Sequence, residues 1–151
     1  MKLILSLFAV CLLFQNCKSI SVNKALIFDG KNYNLENLTD RIKVIKLIKD
    51  IITSETNLNP SLVDIKILKD VNLANNEEYF YLLSTDEKKL HKVAVLVIYN
   101  ETKKTYEVLD KIFLICFESI DCKPSFYNKN WGCDTENVDN FDCKKAVIVV
   151  E

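Results

Sequence analysis

Residues 93–99 read VAVLVIY, an unbroken apolar run with polar or charged residues on both sides. A strand that is buried on both faces carries such a continuous run, whereas a strand with one exposed face alternates apolar and polar residues. The run therefore predicts the central strand of a sheet, covered by other elements on both of its faces.

Other strand-like segments lie on either side of this run. Connections as short as the charged turns at 85–89 and 100–104 favour antiparallel pairing of consecutive strands. The candidate strands are residues 25–28, 63–68, 78–83, 93–99, 106–109, 112–117 and 146–150. Among these, we expect the segments between 63 and 117 to form an antiparallel meander sheet of four to five strands at the centre of the fold.

One amphipathic helix precedes these strands. Isoleucine recurs at helical spacing between positions 42 and 52, and lysines fall toward the opposite side. Thr39 or Asp40 offers an N-cap, and Asn59-Pro60 marks the end of a helix of about fifteen residues. The fold class that follows is α+β, with the helix packed on the meander sheet.

Composition narrows the possible functions. The chain has 151 residues, 49% of them hydrophobic, so it is long enough for one packed domain. Its net charge of −1 argues against a nucleic-acid binder, and its 2 glycines are too few for a phosphate-binding loop.

The first residues have the pattern of a signal peptide. Lys2 supplies a positive charge, and residues 3–14 are apolar apart from Ser6. An apolar stretch of this length is too short to span a membrane but typical of the apolar region of a signal peptide. We therefore expect residues 1–16 to be removed during export.

Cys17 directly follows this leader and is a candidate for lipidation. Residues 14–19, FQNCKS, resemble the leader ends of small lipoproteins of Bacteroidetes-type Gram-negative bacteria. The resemblance implies a lipid on Cys17 and a short tether formed by residues 17–24. The rival hypothesis is cleavage after Ser19 or Ser21 and secretion without lipid.

Four further cysteines cluster near the C-terminus, namely Cys116, Cys122, Cys133 and Cys143. An even set in an exported chain predicts two disulfides, for which three connectivities are possible. A zinc site is the alternative, but structural zinc ligands usually come in pairs two to four residues apart, and these cysteines do not.

The sequence around these cysteines resembles the cysteine-bearing tails of some uncharacterised Bacteroidetes-type lipoproteins. The resemblance lies in Cys-x5-Cys-Lys-Pro at 116–124, Asn-Trp-Gly-Cys at 130–133 and Cys-Lys-Lys at 143–145. We expect residues 25–117 to form the helix-plus-sheet domain. Residues 118–151 are expected to form a disulfide-linked extension of the same domain.

Few residues indicate catalysis. His91 is the only histidine, which excludes metal sites that need two or three histidines. Asp64, Glu107 and Asp110 would support an enzyme only if the fold brought them into one cleft. We therefore expect no enzymatic activity, no metal and no cofactor.

Three aromatic residues are candidates for ligand contact. Tyr79 and Tyr81 fall on one face of a strand, where they form a binding platform if exposed and ordinary core if buried under the helix. Trp131 lies beside Gly132 in the cysteine-bounded loop and is the third candidate.

Two functions follow from these patterns. The first is a non-catalytic lipoprotein of the cell envelope, anchored in the outer membrane through Cys17, that binds an unknown envelope protein or a glycan. The second is a secreted peptidase inhibitor or binding protein of cystatin type, because a helix followed by a meander with late disulfides resembles the cystatin architecture. Residues 90–93, where the inhibitory Gln-x-Val-x-Gly loop of cystatins falls, read LHKV instead.

Overall fold

The computed structural model describes residues 25–72, 74–135 and 143–150. The predicted signal peptide, the tether and Cys17 lie outside the described residues. The elements are β1 (Ala25–Phe28), β2 (Lys31–Asn34), α1 (Leu38–Glu55), β3 (Leu62–Asn72), β4 (Glu77–Asp86), β5 (His91–Asn100), β6 (Thr105–Phe117), β7 (Cys122–Tyr127), β8 (Asn130–Thr135) and β9 (Lys144–Val149).

The central sheet has seven strands in the order β2-β1-β6-β5-β4-β3, with β9 also paired to β6. Strands β3 to β6 form the antiparallel meander that the sequence predicts. The expectation of a purely antiparallel sheet of four to five strands is wrong, because β1 pairs with β6 in parallel and the sheet is mixed.

The additional strands pair over long sequence distances. β1 lies beside Tyr106 and Glu107, and β9 continues along the same edge of β6 from Ile112 to Phe117. β6 is a single strand of 13 residues, where the sequence predicts two shorter ones. Local hydrophobic patterns indicate that a segment is a strand but not which distant strand it pairs with. The sheet therefore contains more strands than expected.

The helix begins earlier than predicted. Its N-cap is Asn37, whose side chain accepts hydrogen bonds from the backbone N–H groups of Thr39 and Asp40 at 2.9 and 3.2 Å. The prediction that Thr39 or Asp40 is the cap is therefore wrong. Asp40 lies in the first turn, where its carboxylate accepts a hydrogen bond from the backbone N–H of Asn34.

Each face of the sheet is covered by a different element. Val44, Ile48 and Ile52 of α1 are buried against one face, in a cluster that includes Val93 and Val95 of β5. Ile42, which the periodicity places on the same helix face, is 57% exposed. The β7–β8 hairpin covers the opposite face.

The central strand is covered on both sides at residues 93–95, as predicted, whereas Ile98 near its end is 53% exposed. Alternate residues of β5 point to opposite faces, so Val93 and Val95 face the helix while Ala94 is fully buried under the hairpin. The architecture has three layers: helix, sheet and hairpin. Among the residues that the structure describes, no helix is long and apolar enough to cross a membrane.

Candidate ligand-binding grooves beside the disulfide-linked hairpin

Two disulfides hold the hairpin on the sheet. Cys116 of β6 is bonded to Cys133 of β8, and Cys122 of β7 is bonded to Cys143 just before β9. The predicted use of all four cysteines in disulfides is confirmed, and the connectivity is one of the three that the sequence allows. Since the sulfurs are bonded to each other, they form no zinc site.

The hairpin has its own local determinants. Tyr127 pairs with Asn130, so Asn128 and Lys129 form the two-residue turn between β7 and β8. Both turn residues have positive φ, 47° and 63°, as a type I′ turn requires. This turn places Phe126 directly opposite Trp131 on the two strands.

Four aromatic side chains form a continuous cluster between the sheet and the hairpin. The ring centroids of Tyr79 and Tyr81 are 5.8 Å apart, and those of Tyr79 and Phe126 are 5.6 Å apart. Trp131 packs edge-on against Phe126 at 5.2 Å and against Tyr81 at 6.2 Å. Edge-to-face and offset contacts at such distances stabilise aromatic clusters beyond the burial of their area.

Tyr79 and Tyr81 are not buried under the helix, which was one of the two alternatives for these residues. They lie on the sheet face opposite the helix, beneath the hairpin, while Phe80 faces the helix side and contacts Tyr106. Tyr81 and Trp131 are buried, 7% and 8% exposed, and Tyr79 is partly exposed. Of the three aromatic candidates, Tyr79 and Trp131 line a cavity and Tyr81 packs behind them.

This cavity, the acidic groove, has a volume of about 610 Å³ and lies between the end of β3 and the hairpin. Its rim carries two carboxylates, Asp70 on β3 and Asp134 on β8. The groove is lined by Asp70, Val71, Tyr79, Ser125, Phe126, Tyr127, Asn128, Asn130, Trp131, Gly132 and Asp134. It combines aromatic surfaces with hydrogen-bonding side chains, as ligand sites commonly do.

Tyr79 and Asp70 interact within the acidic groove. The Tyr79 hydroxyl donates a hydrogen bond to Asp70 Oδ2 at 3.3 Å. Burial, followed by the negative charge of Asp70, raises the pKa of Tyr79 to about 12. The same two causes, burial and then Asp70, raise the pKa of Tyr81. The tyrosines are therefore neutral hydrogen-bonding groups at physiological pH.

A second cavity, the basic groove, lies on the other side of the Phe126 and Trp131 rings and has a volume of about 600 Å³. It separates the hairpin from β9, and its rim carries Lys129 and Lys145. The groove is lined by Leu96, Ile112, Phe126, Lys129, Asn130, Trp131, Lys145, Val147 and Val149.

Two of the three carboxylates considered for a catalytic cleft, Asp64 and Glu107, are not brought together, and the side chain of Asp110 is not among those that the structure describes. Asp64 lies on β3 and forms an ion pair with Arg41, whereas Glu107 lies on β6 and pairs with Lys103. Strands β4 and β5 separate β3 from β6. Among the described residues, no group of three or more histidine, cysteine or acidic side chains is placed to hold a metal ion.

His91 has a defined partner. Its Nδ1 lies 2.7 Å from Asp86 Oδ2, and its ring stacks on Phe117. Burial raises the pKa of Asp86, but hydrogen bonds from His91 and from the backbone N–H of Leu90 outweigh it, so the pKa is lowered overall. This pair fixes the β4–β5 turn.

Several groove residues are not recognisable from the sequence alone. The predicted strand at 63–68 ends before Asp70, because the charged sequence that follows hides the rest of β3. Phe126 could have been found from the sequence, since residues 126–131 read FYNKNW. Aromatic residues on both sides of a short polar segment are typical of a hairpin turn. The lysines of the basic groove come from β9 and the hairpin turn, and only the tertiary structure brings them together.

In comparisons with known proteins, no family model, no curated protein and no solved structure matches the chain.

Proposed function

We propose that this protein is a non-catalytic binding module of the cell envelope, anchored by lipid on Cys17, and that the acidic groove is its glycan-binding site. The observation that carries the proposal is the joining of Tyr79, Phe126 and Trp131 with two carboxylates in one groove. The disulfides are consistent with an extracellular or periplasmic location.

The chemistry of the groove matches that of a sugar. The apolar face of a sugar ring packs on aromatic rings, and Tyr127 offers such a surface because it is 54% exposed. Sugar hydroxyls need acceptors and donors around the ring edge, which Asp70, Asp134 and Asn130 can supply. A rigid site lowers the entropic cost of binding, and the disulfides hold the hairpin wall in place.

Trp131 allows a direct test, because the chain contains only one tryptophan and this residue lines the groove. Chitotetraose and cellotetraose are titrated into the mature protein while tryptophan emission is recorded. We expect a saturable change with at least one of them, and weakening of about tenfold or more in Tyr127→Ala and Asp70→Asn.

The matched control is Asp50→Asn, which removes the same charge from an exposed position on the helix. It should bind the oligosaccharide as the unaltered protein does. Absence of any saturable change with either sugar, or equal weakening by Asp50→Asn and Asp70→Asn, would contradict the glycan site.

The anchor is tested separately by the intact mass of the mature chain from a Gram-negative host. A chain that begins at Cys17 and carries acyl groups supports the lipoprotein, and Cys17→Ser should release it from membranes. A chain that begins near Ile20 or Val22 without lipid contradicts the anchor and favours the secreted alternative.

The cystatin-like inhibitor remains a separate prediction, tested by inhibition of papain. In the structure, His91 contacts Asp86, and Lys92 is buried with its ammonium bound to backbone carbonyls. Both side chains are thus engaged within the fold at the place where the inhibitory loop of a cystatin falls.

A further inference from the structure

The basic groove has the features of a second, different binding site. Its floor consists of Leu96 and Ile112 of the central sheet, and one wall is formed by Phe126 and Trp131. The opposite wall is β9, where Val147 is 49% exposed and Val149 is 65% exposed. Clustered exposed apolar side chains next to a buried core usually mark a surface that binds something apolar.

The charges at this groove favour an anionic partner. Lys129 lies in the hairpin turn and Lys145 on β9, so an ammonium group stands on each wall. Within the described ranges, neither lysine has a carboxylate within ion-pair distance. Other exposed lysines, such as Lys144, do pair with an acid, in that case Glu118 at 2.8 Å.

We infer that the basic groove binds an acyl chain with an anionic headgroup, the chain lying on the apolar floor and the carboxylate between Lys129 and Lys145. A volume of about 600 Å³ is within the range of sites that enclose small organic ligands. The apolar floor of this cavity offers a surface for one alkyl chain, and the ammonium groups on its two walls offer the headgroup charge-assisted hydrogen bonds.

This site is distinct from the glycan site, although the two grooves share Phe126, Asn130 and Trp131. The acidic groove carries carboxylates at its rim and repels an anion, so the acyl carboxylate belongs only to the side with the lysines. We therefore expect the two grooves, on the two sides of one hairpin, to bind ligands of different chemistry.

The test uses dodecanoate below its micelle concentration, with tryptophan emission and isothermal calorimetry as readouts. We expect saturable binding, weakened about tenfold or more in the double variant Lys129→Gln/Lys145→Gln. Dodecanol, which lacks the charge, should bind the unaltered protein more weakly. Val147→Asp, which places a carboxylate on the apolar wall, should abolish dodecanoate binding.

The control for the double variant is Lys46→Gln/Lys49→Gln, which removes two lysines from the helix on the other side of the sheet. It should bind dodecanoate normally. Asp70→Asn and Tyr127→Ala should also leave dodecanoate binding intact, so that failure of this site and failure of the glycan site are distinguishable. Far-UV circular dichroism verifies that each variant is folded.

Three results would overturn the inference. One is the absence of saturable dodecanoate binding. Another is equal affinity for dodecyltrimethylammonium, which would show that the lysines do not select an anion. The last is attachment to vesicles of anionic phospholipid without any binding of monomeric dodecanoate, which would indicate a membrane-docking surface rather than a site for one chain.

Discussion

The rings of Phe126 and Trp131 pack edge-on across the β7–β8 hairpin with their centroids 5.2 Å apart, and both rings line both grooves. One aromatic pair therefore separates a groove with acidic residues at its rim from a groove with lysines at its rim. Each strand of the hairpin carries one disulfide between this pair and the open end of the hairpin, at Cys122 on β7 and at Cys133 on β8, so the position of the pair depends on both bonds.

Removal of the Cys116–Cys133 disulfide should loosen the hairpin. The bond closes a loop of 17 residues, and loss of such a disulfide typically costs about 2–4 kcal/mol of unfolding free energy. We expect Cys116→Ala/Cys133→Ala to lower the urea midpoint and to shift Trp131 emission to longer wavelength. Far-UV circular dichroism should report a folded central sheet, and an unchanged urea midpoint would contradict the role assigned to this bond.

Alkaline pH should destabilise the protein through Tyr79. Its pKa is about 12 when folded against an ordinary 10, so the unfolded chain releases this proton first. The stabilisation is complete below about pH 10 and is lost as the pH rises through about 12. We expect Tyr79→Phe to reduce the loss of unfolding free energy over this range, measured by urea unfolding at several pH values.

Tyr127→Phe is the control for this titration, since it removes the hydroxyl of an exposed tyrosine that lines the same groove. It should leave the alkaline destabilisation unchanged. If both variants change it equally, the effect does not arise from the hydrogen-bonded pair of Tyr79 and Asp70.

Acid should weaken the contact between Asp86 and His91. The folded pKa of Asp86 lies below its ordinary value, so this contribution is present at neutral pH and is lost as the pH falls from about 4 through the folded value. Hydrogen bonds to a charged group contribute about 1.5–3 kcal/mol, which is the expected cost of Asp86→Asn at pH 7. Glu87→Gln, at the exposed neighbouring position, should cost far less in the same denaturation experiment.

Lys92 should be needed for the junction between β6 and β7. Its buried ammonium donates hydrogen bonds to the carbonyl oxygens of Ile120 and Cys122. Lys92→Met retains the length of the chain but leaves these acceptors without their donor, at a cost of about 1–3 kcal/mol. Thermal unfolding measures the loss, and Lys88→Met in the preceding turn is the exposed control; equal stability of the two variants would refute the assignment.

The helix cap can be tested with a pair of substitutions two residues apart. Asn37→Ala removes the side chain that accepts from the first helical N–H groups and should cost about 1 kcal/mol. Thr39→Ala changes an exposed residue within the first turn and should cost little. A larger effect of Thr39→Ala in chemical denaturation would favour the cap that the sequence predicts over the one in the structure.

Local sequence patterns were enough to predict α1 and most strands of the central sheet, but not β2, β7 or β8. The apolar run at 93–99 identified β5 and its burial on both faces, and the recurrence of isoleucine identified α1, because hydrophobic periodicity is a local property. The even set of cysteines predicted disulfides for the same kind of reason, since their number and spacing are visible in the chain.

Which distant segments meet depends on the folded chain as a whole. The pairing of β1 and β9 with β6 enlarged and mixed the sheet, and the connectivity of the disulfides fixed the hairpin on the face opposite the helix. Tyr79 and Trp131 could be predicted from the sequence as candidates for ligand contact. Their meeting with Asp70, and the meeting of Lys129 with Lys145 across a second groove, result from contacts between residues far apart in the chain, which no local pattern encodes.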